Sequence, residues 1–327
     1  MESRLIASVV QMQSENGRVA ENLARAEHHI RSAVRRDAAL ILLPELLPNG
    51  FELTEDWWNT ATAFDGPIVG WITEQARTHR VHIGMTFLEA EGDDFYNTFV
   101  LASPSGKIVG KVRKTPPASF EAYFYRAGAT PHVIETEIGR IGVGICYENL
   151  FYERLEEFHA AKVDLVLQPM SAPLPELSFP MRRSDIAKFA RILAELPLLY
   201  ARTLGAPVLM TNKCGPFYSR LPAIRKEYRS TFPGLSSIVN SDGVLCGRLD
   251  AEEDVLVAAV ELGRSETRVT SLQNFGGRVM PRPWFALLFD WTQRMGEKSY
   301  LRNSRRPAAA RAIQSRPNQC LERTRSE

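Results

Sequence analysis

The sequence has few cysteines, and none of them are arranged to hold a metal ion. Four cysteines are spread over 327 residues, with no Cys-x-x-Cys pair and no cysteine–histidine cluster of metal-ligand spacing. No glycine-rich loop has the spacing that binds nucleotide phosphates. We therefore expect reduced thiols in a cytoplasmic protein that uses no metal and no other cofactor.

Long hydrophobic runs are also missing. The longest, residues 38–43 and 196–209, are too short or are interrupted by proline and arginine, so no membrane span is expected. The charged N-terminal residues lack a long apolar core, which predicts no secretory signal.

The net charge is small and unevenly distributed. Forty basic residues face 38 acidic ones, which argues against a general binder of polyanions. Residues 302–327 hold seven arginines and only two glutamates. We expect residues 301–327 to form a basic disordered tail, and this composition alone does not favour nucleic acid as a partner.

Apolar strands alternate with amphipathic helices from residue 5 to about residue 265. Residues 5–12 and 38–43 are typical of buried strands, and residues 22–35 between them have apolar side chains at helical spacing. Residues 81–88 and 95–102 predict a β-hairpin. The pattern favours one layered α/β domain over residues 1–265.

Residues 266–300 follow this domain and contain a dense apolar group. At helical spacing its members would form one face: Trp284, Phe285, Leu287, Leu288, Phe289 and Trp291. We interpret the segment as an arm docked either on its own core or on a second subunit, and the sequence leaves both open. So much aromatic surface favours a homodimer or larger homo-oligomer.

Three stretches place reactive side chains where strands end, which is where α/β proteins gather their active sites. Glu45 follows an apolar strand, Lys114 begins a polar loop that continues to Glu121, and Cys146 lies between an apolar strand and a helix. A cysteine in that last position has the geometry of a nucleophile. Each stretch alone is ordinary, since a lone cysteine at a strand end is more often buried filler.

Together, in this order and spacing, the stretches resemble the nitrilase superfamily, also called carbon–nitrogen hydrolases. The resemblance covers roughly residues 4–265 and rests on these motifs: Pro44-Glu45 with Gly50-Phe51, Lys114 with Glu121-x-x-Phe124-x-x-x-Gly128, Gly144-Ile-Cys146-Tyr-Glu148, and the later Asp164-Leu-Val-Leu-Gln-Pro169 and Asn212-Lys213. It implies a four-layer α-β-β-α sandwich with Glu45, Lys114, Glu121 and Cys146 converging at one end of two sheets.

The resemblance also implies a role for each residue. Cys146 would form a covalent thioester, Glu45 would act as general base, and Lys114 would stabilise the oxyanion. Glu121 would orient Lys114 or the substrate nitrogen. Tyr147, Glu148 and Phe51 would bind substrate, Tyr147 through its backbone N–H in the oxyanion hole. Six aromatic residues near the motifs would line an apolar pocket or join the core: Phe51, Trp57, Trp58, Phe120, Tyr123 and Phe124.

The residues after Cys146 do not select one branch of the superfamily. Cys-Tyr-Glu is similar to amidases, whereas Glu148-Asn149 is similar to nitrilases, which usually have tryptophan in place of Tyr147. Asn149 and Leu150 stand where carbamoyl-amino-acid hydrolases commonly place arginines, which counts against a small anionic substrate. The leading hypothesis is an amidase-like, thiol-dependent hydrolase of nonpeptide C–N bonds that acts on a small-molecule amide. A nitrilase acting on an organic nitrile and an N-acyltransferase passing the acyl group to an amine stay open.

Overall fold

Two mixed β-sheets form the centre of the structure. A computed structural model describes residues 3–177, 180–222, 227–263 and 271–316, and each sheet has six strands in this part of the chain. The strands of the first sheet, in order across it, are β14 (Asp254–Leu262), β1 (Ser3–Gln11), β2 (Leu40–Leu42), β3 (His82–Glu91), β4 (Asp94–Ala102) and β5 (Ile108–Arg113). The strands of the second are β13 (Leu245–Arg248), β12 (Ser237–Val239), β9 (Val208–Thr211), β8 (Leu165–Pro169), β7 (Gly139–Val143) and β6 (Val133–Thr136).

The pairing of the strands combines parallel centres with antiparallel edges. Strands β1, β2 and β3 run parallel, as do β7, β8 and β9. The predicted hairpin over residues 81–88 and 95–102 is confirmed as the antiparallel pair of β3 and β4. A further antiparallel pair, β10 (Cys214–Arg220) and β11 (Glu227–Pro233), lies outside both sheets.

Apolar side chains alternate between the two faces of each central strand, and the core therefore has two layers. In β1, Leu5, Ala7 and Val9 join the cluster that also contains second-sheet residues, while Val10 joins the cluster on the other face. Successive side chains of a strand point to opposite faces, so each central strand is buried on both sides.

Helices cover both outer faces. The first sheet is covered by α1 (Val19–Val34) and α2 (Pro67–His79), and the second by α3 (Tyr152–Ala161) and α4 (Arg183–Leu204). The expected four-layer α-β-β-α sandwich is confirmed. Among the described residues, no helix combines the length and apolarity needed to cross a bilayer. The cytoplasmic location stays a prediction.

The aromatic arm is docked on its own core. Helix α5 (Ala286–Arg302) packs along the short 3-10 turn Ser119–Tyr123, where the Ser119 and Thr292 hydroxyls lie 2.6 Å apart. A Cβ at Gly296 would come within 2.9 Å of Ala122, so only glycine allows this approach. Residues 266–270 of the predicted arm lie outside the described residues.

The predicted disordered tail is wrong for residues 301–316. Helix α6 (Arg306–Gln314) buries Ala310 and Ile313, and Gln314 pairs with both backbone groups of Gly92 in the β3–β4 turn. Two apolar side chains at helical spacing face the core, and the arginines pair with acidic residues, as Arg306 does with Asp94 and Arg311 with Asp93. Residues 317–327, with Cys320, lie outside the described residues.

Candidate active site

Three of the predicted residues lie within three positions of a strand end. Glu45 follows β2, Lys114 follows β5 and Cys146 follows β7. The loop after β2 is held to the second sheet by the Glu45 N–H, which donates to the Met170 carbonyl at 3.2 Å. The structure therefore brings the ends of strands from both sheets to one place, together with Glu121 from the 3-10 turn.

Lys114 is the centre of this group. Its Nζ lies 2.7 Å from Glu45 Oε1 and 2.7 Å from Glu121 Oε2, and all three side chains are buried. Burial by itself would lower the pKa of Lys114, but the two carboxylates outweigh it, so the pKa lies well above its usual value. Lys114 therefore keeps a positive charge inside the protein.

Glu45 has one oxygen engaged and one free. Oε1 accepts hydrogen bonds from Lys114 and from the Asn97 amide, each at 2.7 Å. Oε2 is buried and accepts no hydrogen bond from the described residues. Burial raises the pKa of Glu45 above its usual value, although the Lys114 ammonium opposes the shift. A buried carboxylate oxygen without a donor is ready to accept a proton.

Cys146 is held in a strained turn. Its φ of 53° lies in the left-handed region, which is uncommon for a residue other than glycine. The Asn149 side chain fixes the turn by donating to the carbonyls of Gly144, at 2.7 Å, and Cys146, at 3.0 Å. A Cβ at Gly144 would lie 2.0 Å from Asn149 Oδ1, so this position has no room for a side chain.

The thiol of Cys146 interacts with the charged group. Burial and the Glu45 carboxylate raise the pKa of Cys146 well above its usual value, while Lys114 and the backbone N–H of Ser171 act in the opposite direction. The raised pKa favours the protonated thiol, and the Glu45 carboxylate interacts with it. A base is needed before this thiol can act as a nucleophile.

A cavity of about 380 Å³ adjoins Cys146 and Glu121. Tyr147 and Phe51 also line it, whereas Glu45 and Lys114 lie behind the lining residues. The Tyr147 hydroxyl lies 3.0 Å from both Asp290 of α5 and Arg278. The docked arm thus forms part of the wall.

The other aromatic residues divide between cavity and core. Phe120 lines the cavity beside Phe51. Trp57, Trp58 and Phe124 belong to a buried cluster instead, and Tyr123 packs against that cluster.

Glu148 does not line the cavity, contrary to its predicted contact with substrate. Its Oε2 accepts from the Ile145 N–H at 2.6 Å. Its Oε1 accepts from the Thr115 N–H and lies 2.9 Å from His132 Nε2. The carboxylate therefore ties the turn of Cys146 to the loop after Lys114, and a residue that follows a nucleophile in sequence need not face the same side.

Sequence reasoning missed three polar residues of the site. Asn97 in β4 donates to Glu45, and the Tyr125 hydroxyl donates to Glu121. Lys213 is buried nearby, with Nζ 3.3 Å from the carbonyl of Leu46, and burial lowers its pKa to about 7. Asn97 had no sequence signal, whereas Lys213 lay in a stretch that resembled the superfamily without an assigned role.

The described residues contain no group of three or more His, Cys, Asp or Glu side chains that could hold a metal ion. The charged group of the site is instead compensated internally, by one lysine between two carboxylates.

Comparison with known proteins agrees with this architecture. Among curated proteins, nitrilase 3 of Arabidopsis thaliana is 29% identical over 204 residues, which cover 56% of this chain and 58% of that protein. A cyanide hydratase of Pyrenophora teres f. teres is 28% identical over 230 residues, covering 67% of this chain and 62% of that protein. The chain thus spans about three fifths of the length of these two relatives.

The fold and the family follow from two further matches. The crystal structure of a carbon–nitrogen hydrolase from Helicobacter pylori G27 superposes with a TM-score of 0.69 at 18% identity, covering 93% of this chain and 96% of that one. The family model for carbon–nitrogen hydrolases matches residues 6–268. The chain belongs to the carbon–nitrogen hydrolase family, within the nitrilase superfamily.

Proposed function

We propose that the protein hydrolyses a nonpeptide C–N bond of an amide through a covalent thioester at Cys146. The observation that carries the proposal is that the Cys146 thiol interacts with the Glu45 carboxylate, whose Oε2 accepts no hydrogen bond from the described residues, while the buried Lys114 Nζ lies 2.7 Å from Oε1 of the same carboxylate. These are the nucleophile, the base and the oxyanion stabiliser that acyl transfer needs.

The first half of the reaction forms the thioester. Glu45 accepts the proton of the thiol while the sulfur attacks the carbonyl carbon, and the π electron pair moves to the oxygen. The Lys114 ammonium and the Tyr147 backbone N–H stabilise this oxyanion. The oxyanion then collapses, the C–N bond breaks, and protonated Glu45 gives its proton to the leaving nitrogen.

The second half releases the acid. Glu45 takes a proton from water as the water oxygen attacks the thioester carbon, and the C–S bond breaks with return of the proton to sulfur. The raised pKa of Glu45 suits it to both transfers, because a carboxylate of higher pKa is a stronger base. Glu121 acts as a positioning residue, since its carboxylate holds Lys114.

A nitrile is the second candidate substrate, favoured by the relatives named as a nitrilase and a cyanide hydratase. The same thiol would add to the nitrile carbon and give a thioimidate. Transfer of the acyl group to an amine, in place of water, is the third. Product analysis with and without added amines separates water from amine as the acceptor.

Intact-protein mass spectrometry after mixing with amides, ureas and nitriles tests the proposal. We expect an adduct on Cys146, which should persist longer in Glu45→Gln because the base for water attack is gone. Cys214→Ala should still form the adduct, since Cys214 lies outside the site and burial raises its pKa to about 12. Full turnover by Cys146→Ala would end the proposed mechanism.

We also propose that the protein self-associates through the outer face of α5. Trp284, Leu287 and Trp291 are 45%, 63% and 63% exposed on this helix and the residues before it, an amount of apolar surface unusual for a monomer. Sedimentation at micromolar concentration should show a dimer or larger species, and Leu287→Glu should shift it toward the monomer. A clean monomer for the unmodified protein would contradict this proposal.

A further inference from the structure

The cavity beside Cys146 is far larger than a short amide would fill. Its volume of about 380 Å³ lies within the range of about 300–1,000 Å³ that holds drug-sized ligands. The walls come mainly from residues 170–176 and 180–181, from helix α4 and from residues 278–292. Most of the lining side chains of α4 and residues 278–292 are apolar, among them Phe189, Leu193, Leu196, Met280, Phe285 and Phe289.

Residues of the arm form the part of the cavity wall between α4 and the turn that contains Cys146. Ring centroids follow one another from Phe189 to Phe285 at 6.3 Å, to Phe289 at 6.5 Å and to Tyr147 at 6.1 Å. The Trp284 indole N–H donates to Asp185 at the start of α4 at 3.0 Å, which ties the two segments together. The apolar wall is therefore continuous up to the residue after Cys146.

Four charged side chains line the cavity, Glu121, Glu176, Arg278 and Arg282, and each interacts with the protein itself. Arg278 donates to the Tyr147 hydroxyl and to Asp290, each at 3.0 Å, and Arg282 pairs with the same Asp290. Glu121 is held by Lys114. On the arm, two arginines share the one carboxylate of Asp290, so these three side chains together are positively charged. A negatively charged substrate is therefore the alternative that the experiment has to test.

An unpaired polar group lies at the reacting end. Ser171 lines the cavity, and its buried hydroxyl has no hydrogen-bond partner among the described residues. The backbone N–H of the same residue interacts with the sulfur of Cys146. The cavity therefore has a polar hydroxyl beside the nucleophile and apolar walls beyond it. A substrate with a polar amide group at one end and an apolar remainder matches this arrangement.

We infer that the substrate is an amide with a large, uncharged, apolar acyl group, aliphatic or aromatic, which occupies this chamber while its amide group lies beside Cys146 and Ser171. This inference rests on the proposed function. Apolar surface removed from water supplies the binding free energy, and the docked arm sets the size limit. A negatively charged acyl group would have to compete with Asp290, which already pairs with both arginines of the lining.

A series of linear primary amides from butanamide to octanamide, with phenylacetamide added, tests the inference on the full-length protein. We expect kcat/KM to rise about fourfold for each methylene until the chamber is full, the factor that corresponds to burying one CH₂. Glutaramate, an amide with a terminal carboxylate, should react far more slowly than hexanamide, which has a similar length. A flat series, or glutaramate as the better substrate, would overturn the inference.

A variant pair checks that the chamber itself is responsible. Ile192 is a half-buried lining residue of α4 and takes no part in the proposed chemistry. Ile192→Glu should reduce kcat/KM for octanamide at least about tenfold through the charge placed in the chamber. Val244→Glu places the same charge at a side chain that is 59% exposed and outside the lining, and it should stay close to the unmodified protein. Equal losses on butanamide and octanamide in Ile192→Glu, at an unchanged melting temperature, would contradict the assignment.

The two proposals fail differently. If no amide in the series forms an adduct on Cys146, the proposed function is wrong. If adducts form on Cys146 but their rate ignores chain length or favours glutaramate, the hydrolase proposal stands and the assignment of an apolar acyl group is wrong.

Discussion

Two fully buried lysines belong to the surroundings of Glu45, and burial has opposite outcomes for them. Lys114 lies between two carboxylates at 2.7 Å, and its pKa is raised well above the usual value. Lys213 has the Leu46 carbonyl at 3.3 Å, with the rings of Phe51 and Phe232 at 5.9 and 5.8 Å, and its pKa is lowered to about 7. The cost of desolvation acts on both, so the carboxylate contacts decide the charge.

The difference explains why the site can hold a cation without water. An ammonium group in the interior is tolerated when neighbouring anions compensate it, and Lys114 has two. The Glu45 carboxylate lies farther from Lys213 and raises its pKa less than burial lowers it. The neutral amine of Lys213 is therefore populated near neutral pH. The region of Lys114 is therefore built to carry charge, and that of Lys213 to lose it.

Removing the charge of Lys114 should produce the largest effect. We expect Lys114→Met to lower kcat by more than a factor of about 100, the scale for losing one oxyanion stabiliser. It should also destabilise the fold, because Glu45 and Glu121 would remain buried without their cation. Turnover and melting temperature measured on the same sample separate the two losses.

Lys114→Arg is the matched control for charge. We expect it not to restore activity, because a planar guanidinium cannot occupy the space of a compact ammonium between the two carboxylates. Recovery of more than half of the activity in Lys114→Arg would show that charge alone, and not position, is what the site requires.

Removing one of the two anions should bring Lys114 closer to the situation of Lys213. In Glu121→Gln the pKa of Lys114 should fall, since one of the two carboxylates that raise it is gone. We expect a rate loss of about tenfold or more near neutral pH and a new decline of kcat on the alkaline side as Lys114 loses its proton. A pH–rate profile of the variant against the unmodified protein measures this.

Tyr125→Phe provides the control for Glu121→Gln, since it removes a hydrogen bond to the same carboxylate but leaves the charge in place. Its profile should keep the alkaline shape of the unmodified protein. If Glu121→Gln loses activity with no change in the pH profile, Glu121 acts on the substrate and not through Lys114.

The sequence could predict those site residues that lie within a few positions of a strand end. Glu45, Lys114 and Cys146 each follow an apolar run, and that local pattern locates them at the sheet ends. Asn97 could not be found this way, because it lies within β4 and meets Glu45, 52 residues away, only through sheet pairing. Contacts of that kind depend on the register of strands, which spacing along the chain does not contain.

The fold was predictable to the same degree. Alternating strands and helices gave the layered core, because burial on both faces requires continuous apolar runs. Helix α6 was missed since Ala310 and Ile313 are its only buried side chains, a signal that seven arginines in the surrounding tail conceal. The orientation of Glu148 was missed since adjacent residues in a 3-10 turn face different sides.

Substitution of Lys213 should have the smallest effect on turnover. The comparison of the two lysines is tested here through the pH dependence of protein stability. In the unfolded chain a lysine stays protonated up to a pH of about 10.4, whereas in the folded protein Lys213 releases its proton at about pH 7. Between these values the unfolded state binds more protons, so the free energy of unfolding should rise with pH, by up to about 1.4 kcal/mol per pH unit from this residue. Below pH 7 the full cost of the buried ammonium is present.

Lys213→Met removes that cost at every pH and keeps a side chain of similar length between the two rings. We therefore expect the variant to be more stable than the unmodified protein at pH 6, with the advantage shrinking steadily toward pH 9.5. Urea unfolding of both proteins across this range measures the difference, in which the contributions of all other titrating groups cancel to first order.

Turnover of Lys213→Met should change little. The Lys213 Nζ contacts the Leu46 carbonyl, and Leu46 is also held by its own N–H, which donates to Thr86 at 2.6 Å. A stability difference that is constant from pH 6 to pH 9.5 would mean that Lys213 keeps its proton in the fold. The two lysines would then be alike in charge, and the contrast drawn between their surroundings would be wrong.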